Sequence, residues 1–293
     1  VNKNKNITIA LHDGTTIEVG LAGESGNVVM LPGTKPAATG REAEMLKLWG
    51  VDPELGRRFV DGLADTFRVV SFDYEGHRFA HPLPDTLTPE TIAADLLRIA
   101  DGAGAACFGY YGYSWLALAG LQLALRTNRV AALMMSGFPP YGGPYREMLT
   151  VTEKTYEQAL QQQTAGNASA AYELTPDQVD WEQVQVTIAP GQTKQFHTLY
   201  KQLAAFDDTA IQHRLRMPRL AFAGERDTIV YGANFGGVTV DIAGALRLHR
   251  EELRRLGWDV ELLAGDGMDH TKAMQPETAL PLVKRWLGER FRR

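Results

Sequence analysis

A single serine stands where an apolar strand gives way to an apolar helix, at Gly112-Tyr113-Ser114-Trp115-Leu116 within "CFGYYGYSWLALAGLQLALR" (107–126). A sharp strand-to-helix turn can push one hydroxyl out of the backbone and into a pocket, and it favours small residues two positions either side of its apex. Gly112 meets that requirement and Leu116 departs from it. The competing reading is a turn serine with a packing role only. A serine hydroxyl is a weak nucleophile at its own pKa, so chemistry at Ser114 requires a base within reach.

Seven histidines are available. His249 falls in a charged amphipathic stretch and reads as a solvated residue. His197 and His213 lie in a polar helical region, and His12 sits in the first hairpin. His77 and His81 form a His-x3-His pair with no acidic or cysteine partner pattern, which reads as a turn anchored by Asp73 rather than a metal site. His270 differs: it follows the last apolar strand in "AGDGMDH", just before the final helix. It is the candidate base. An acid must accept a hydrogen bond from the other imidazole nitrogen to orient it. Asp227, past the strand in "AFAGERDTIV", is the favoured carboxylate; Glu225, Asp266 and Asp269 are the alternatives.

These three residues need a scaffold that delivers strand ends to one place. Two alternating runs meeting at Asp13-Gly14 predict a hairpin. Continuous apolar runs at "NVVMLPG", "FRVVSFDYEG", "VAALMMSGF" and "DVELLAG" read as buried strands, and helical patterns separate them. In "TPETIAADLLRIADG", Thr88 can cap a helix, Pro89 suits its first turn, and Ile92, Leu96, Leu97 and Ile99 form an apolar stripe. The alternation stops between about 139 and 216, where Gln, Thr, Tyr and Ala dominate; this segment reads as a helical insertion, with an exposed loop at "QTAGNASA". Repeated strand–helix alternation with apolar strands predicts a mostly parallel sheet covered on both faces, with the hairpin as an antiparallel edge. Ligands on such sheets bind beyond the carboxyl ends of the strands, where Ser114, Asp227 and His270 fall.

Composition narrows the function class. The 293 residues are 44% hydrophobic and 22% charged, with a net charge of −5. That balance argues against a nucleic-acid partner, which requires a basic face. No run approaches the roughly 18 apolar residues of a membrane span. Cys107 is the only cysteine, so an intrachain disulfide is excluded; its apolar setting reads as a buried position. The start "VNKNKNITIA" lacks a signal-peptide core, although a cleaved leader would leave no trace, and the location read from these features is cytoplasmic.

With Ser114, Asp227 and His270 in that chain order, the sequence resembles the α/β-hydrolase fold superfamily, in its serine-nucleophile branch with a helical cap. The resemblance runs from "HDGTTIEVG" to the final helix. It implies an α/β fold with a mostly parallel, doubly wound sheet of about eight strands, residues 1–138 and 217–293 forming the core and 139–216 the cap. It implies an oxyanion-hole loop at "MLPGTKP", where Pro32 replaces a common histidine and Gly33 is kept, with the backbone N–H groups of Thr34 and Trp115 as donors. After the fourth strand, Asp73 and Gly76 match the superfamily's turn and the rest does not. The implied activity is hydrolysis of a small carboxylic ester or lactone through an acyl-enzyme, without metal or organic cofactor. Acyl transfer, peptide or C–C bond cleavage by the same triad, and a slow-turnover ligand receptor are the alternatives. Tyr113, Phe138, Tyr141 and Tyr145 are expected at the site mouth, where they suit an apolar or aromatic substrate, although they would equally suit a cap–body interface.

Overall fold

A computed structural model describes residues 5–24, 26–165 and 188–291. The first two strands, β1 (Lys5–Ala10) and β2 (Thr16–Ala22), pair antiparallel from Lys5↔Leu21 to Ala10↔Thr16. Their turn closes over Asp13-Gly14, where Gly14 takes a φ of 83° that side chains rarely tolerate. Then follow β3 (Val28–Leu31), β4 (Arg68–Ser71), β5 (Phe108–Tyr113), β6 (Val130–Ser136) and β7 (Arg219–Gly224). After a small hairpin, β8 (Thr228–Val230) and β9 (Thr239–Asp241), comes β10 (Trp258–Leu263).

The main sheet has eight strands in the order β1-β2-β4-β3-β5-β6-β7-β10. Only the β1–β2 and β2–β4 pairs are antiparallel; every pair from β4–β3 to β7–β10 is parallel. Because strand side chains alternate between faces, the two faces hold two separate cores. Met30, Val70, Tyr110, Leu133 and Ala221 pack on one side, and Val29, Val69, Tyr111, Met134 and Leu220 on the other. The first core is closed by α4 (Pro89–Gly102) and α5 (Trp115–Ala124), the second by α2 (Leu55–Leu63) and α11 (Pro276–Arg290). Thr88 caps α4 as its sequence indicates, accepting from Thr91 N–H, with Pro89 in the first turn.

Some expectations change. Cys107 precedes β5 and is exposed, because the strand begins at Phe108 and the apolar run therefore overstates its length. The stretch after β9 forms two helices, α8 (Ile242–Leu248) and α9 (Arg250–Arg255), broken at His249. Its ring is not simply solvated: it lies against Tyr141, with centroids 4.9 Å apart. Between β3 and β4, α1 (Gly40–Leu48) and α2 fall where "EMLKLWG" and "PELGRRFVDGLAD" read as helical.

The chain between β6 and β7 carries α6 (Tyr145–Ala165) and α7 (Pro190–Gln202), and no strand among its described residues. The loop expected at "QTAGNASA" lies largely outside the described residues. Among the described residues no helix is long and apolar enough to cross a membrane.

Candidate active site

The end of β5 is bent hard. Ser114 has φ 54° and ψ −130°, and it is the one described non-glycine residue with positive φ. Such a conformation costs about 1–3 kcal/mol and persists only where its surroundings impose it. Here the Ser114 N–H donates to Ser136 O at 2.8 Å, while the Ser114 carbonyl accepts from Ala117 and Leu118. A Cβ on Gly112 would stand 2.3 Å from Leu116 O, so this position admits only glycine. Ser114 occupies the N-cap of α5, yet its side chain makes no capping hydrogen bond. A capping or packing serine would be expected to spend its hydroxyl on the helix.

Leu116 explains its own departure from the motif. Its backbone, rather than its side chain, approaches Gly112, and its Cδ1 lies toward Gly33, 3.2 Å from where a Cβ there would be. A bulky side chain thus fits beside the turn without disturbing it.

Asp227 and His270 converge from β7 and β10. The loop carrying His270 crosses close over the end of β7: a Cβ on Gly224 would meet Met268 O at 2.2 Å. His270 opens α10 (His270–Ala273), which Asp269 caps by accepting from Lys272 N–H at 2.8 Å. The Asp227 carboxylate is fully buried, and its oxygens lie 2.9 and 3.0 Å from His270 Nδ1. Among the other carboxylates, Glu225 accepts from Gly265 N–H at 3.0 Å and Asp269 is spent on its helix cap.

Tyr113 fixes the imidazole from the other side. Its hydroxyl donates to His270 O at 2.6 Å, and its ring lies against the imidazole with centroids 4.7 Å apart. Burial, reinforced by the Asp227 charge, raises the phenol pKa well above its usual value, so it remains a donor. Gly137 completes the seat: its φ is 65°, and a Cβ there would stand 2.8 Å from His270 Cε1. The imidazole therefore rests beside the β6 end whose Ser136 carbonyl holds the Ser114 N–H.

The loop after β3 corrects one expectation. Thr34 N–H donates to Phe72 O at 3.1 Å, and Tyr74 N–H donates to Pro32 O at 2.9 Å, around the Gly33–Asp73 bridge. The Thr34 amide is thus engaged by the end of β4 and is not a free oxyanion donor. Its hydroxyl donates to Leu31 O at 3.3 Å, long for an O–H···O bond. The Trp115 N–H lies in the first turn of α5, where no carbonyl four residues back is available within the helix. The Trp115 indole donates to Glu75 at 2.7 Å, and Glu75 pairs with Lys35 at 2.8 Å.

A cavity of about 430 Å³ reaches Ser114, Trp115 and Tyr113. Much of its remaining wall comes from the chain after β3 through α2, including Leu46, Val51, Leu55 and Phe59. Phe138, Tyr141 and Tyr145 do not line it. Phe138 and Tyr145 are buried and meet edge to face at 5.7 Å, and Tyr145 also packs on Phe206. Beside them Asp208 accepts from Gly142 and Gly143 N–H, each at 2.8 Å. Phe138, Tyr145 and Phe206 thus pack on one another, while Tyr141 lies against His249. A more open groove of about 560 Å³ shares Thr34 to Pro36 but contains none of Ser114, Asp227 and His270.

The α1 contribution to the cavity lies outside the site residues expected from the sequence. The signal was present in "EMLKLWG", an apolar stretch on a helix with no buried residues, which suits a cavity wall better than a core. Phe196 of α7, whose ring stands edge-on to Trp115 at 5.3 Å, also lies outside those expected residues. His77 and His81 lie against each other at 4.9 Å, and His77 Nε2 is 2.9 Å from Thr15 Oγ1. Asp73 caps α3 (Tyr74–Ala80) by accepting from Gly76 N–H.

No family model matches the chain. RutD of Klebsiella pneumoniae subsp. pneumoniae, by name a carbamate hydrolase, is 33% identical over 117 residues, which span 39% of this chain and 41% of that protein. The enol-lactonase of Burkholderia xenovorans LB400 superposes with a TM-score of 0.59 at 19% identity, covering 96% of this chain and 100% of that one. The bottromycin epimerase BotH superposes with a TM-score of 0.54 at 16% identity, covering 98% and 99%. At these identities the likeness speaks for architecture, and an epimerase among the matches shows that this architecture serves more than one chemistry. The eight-stranded, mostly parallel sheet with helices on both faces is the α/β-hydrolase fold.

Proposed function

We propose that this protein is a serine hydrolase that cleaves a carboxylic ester or lactone of a small, uncharged substrate. The observation that carries the reading is Ser114, held at positive φ with its hydroxyl free of capping duty, directly after Tyr113, whose ring packs on an imidazole oriented by a buried carboxylate. In this mechanism Ser114 Oγ attacks the carbonyl carbon while His270 Nε2 accepts its proton. The C–O bond to the leaving alcohol then breaks, and His270 returns the proton to the departing oxygen. A water repeats the sequence on the acyl-enzyme and frees the acid. Asp227 holds Nδ1–H toward itself and stabilises the imidazolium that forms.

The oxyanion is stabilised by the Trp115 N–H and, in place of the engaged Thr34 amide, by the Thr34 hydroxyl. Thr34 lines the Ser114 cavity, and its long bond to Leu31 O is readily exchanged for a charged acceptor. Residues 139–216 are read as a cap over the strand ends. Support comes from α7, whose Gln195 is buried and bonds Leu83 N–H and Arg78 O, seating Phe196 against Trp115.

A second reading, a ligand receptor of the same fold with slow turnover, is favoured by the engaged Thr34 amide. Stopped-flow and steady-state assays of an activated ester with purified protein separate the two. Sustained turnover abolished by Ser114→Ala supports the hydrolase. A single-turnover burst followed by no further product supports the receptor.

A further inference from the structure

We propose that the cavity beneath the β3–α2 chain is the acyl pocket, that it takes an uncharged apolar acyl group, and that Leu116 forms its inner wall. The proposal rests on the hydrolase reading and goes beyond it by naming which part of the ester enters and what limits its size.

Direction comes first. His270 must reach the leaving oxygen to protonate it, so the alcohol portion lies on the imidazole side of Ser114. The cavity contains Ser114 and Trp115 but not His270. Whatever occupies it therefore lies on the far side of the carbonyl from the leaving group, which is the acyl chain.

Chemistry comes second. The deep lining is buried and apolar, with Leu31 and Phe59 each 3% exposed and Leu116 6% exposed. The polar lining residues Lys35 and Glu42 are exposed and belong to the mouth. Its charged lining, Lys35 against Glu42, Asp52 and Glu75, carries more carboxylates than cations, which disfavours an acyl group bearing its own carboxylate. A volume of about 430 Å³ is in the range of small-molecule sites.

Size control comes third. A small residue usually follows the serine at the position of Leu116, and here its side chain turns from the elbow toward Gly33 and into the cavity lining. Trimming it lengthens the pocket. Leu46, half-buried on α1 with no core role, also lines the cavity and can be enlarged into it without disturbing the sheet.

The test is a series of p-nitrophenyl esters from acetate to decanoate, plus the hemisuccinate, with wild type, Leu116→Ala and Leu46→Trp, each also treated with a fluorophosphonate probe. Leu46→Trp should lower the octanoate-to-acetate ratio of kcat/KM by about tenfold or more, since each methylene in an apolar pocket is worth about tenfold or more. Leu116→Ala should raise the decanoate-to-acetate ratio by a similar factor, and wild type should prefer butyrate to hemisuccinate. Ratios unchanged in both variants, with Ser114 still labelled and turning over, would overturn the acyl pocket while leaving the hydrolase standing. No labelling and no hydrolysis in wild type would overturn the hydrolase reading and the pocket with it.

Discussion

His270 Nδ1 lies 2.9 and 3.0 Å from the two oxygens of the Asp227 carboxylate, and that carboxylate is fully buried. A buried carboxylate straddling one imidazole nitrogen selects the tautomer that leaves Nε2 free to accept a proton. Asp227→Asn should therefore cut turnover by up to about 10⁴-fold, through the wrong tautomer, while circular dichroism remains native. Glu225→Gln, at a side chain that accepts from the Gly265 amide, should cost far less. A larger loss in Glu225→Gln than in Asp227→Asn would move the acid to Glu225.

The engaged Thr34 amide puts weight on the Thr34 side chain. Thr34→Val keeps the shape and removes the hydroxyl; it should lower kcat by about 10²–10³-fold with little change in KM, the range for losing one oxyanion donor. Thr34→Ser should retain most of the activity. Equal kcat in the valine variant and wild type would show that the hydroxyl takes no part.

Tyr113 joins the nucleophile turn to the base through its 2.6 Å bond to His270 O. Tyr113→Phe should lose about 0.5–1.5 kcal/mol of stability in urea titrations, the net worth of such a bond, and lower kcat as the imidazole loosens. An unchanged kcat would confine Tyr113 to packing.

The first hairpin is tied to α3 by groups that titrate in acid. Burial, with help from the Arg78 charge, lowers the His77 pKa to about 4, so folded His77 stays neutral while the unfolded chain takes up a proton near 6.5. The unfolded state binds more protons between those values, and stability should fall as pH drops from about 6.5 to 4. For Asp13, burial acts to raise the pKa, but the Thr15 hydroxyl and amide and Arg78 hold it down to about 2. Its contribution is present above about pH 4 and is lost as pH falls toward 2. Urea midpoints should show a shallower decline between pH 6.5 and 4 in His77→Gln, and between pH 4 and 2 in Asp13→Asn, than in wild type. Parallel curves for variant and wild type would contradict this.

The scaffold was legible because its signals are local. Apolar runs at "NVVML", "VAALMMS" and "RLAFAG" can only be buried strands, Asp13-Gly14 can only turn, and Thr88-Pro89 caps a helix. Gly112 was legible because a strained turn tolerates no Cβ there. The cavity walls were not, because Leu46 and Val51 share a cavity with Ser114 only through tertiary packing of the long connection between β3 and β4. The Thr34 amide was missed for the same reason: its partner, Phe72, belongs to another strand end. Phe138 and Tyr145 show the limit of aromatic content as a guide, since the same residues build a pocket or an interface.

Covalent labelling reads out whether Ser114 is the nucleophile. Purified protein is treated with a fluorophosphonate probe, digested and sequenced by mass spectrometry, in parallel with Ser114→Ala. One modified residue, Ser114, is expected, with no modification in the variant and near-identical thermal midpoints for the two proteins, because Ser114 lines a cavity. An unmodified Ser114, or a label on Ser136 instead, would contradict it.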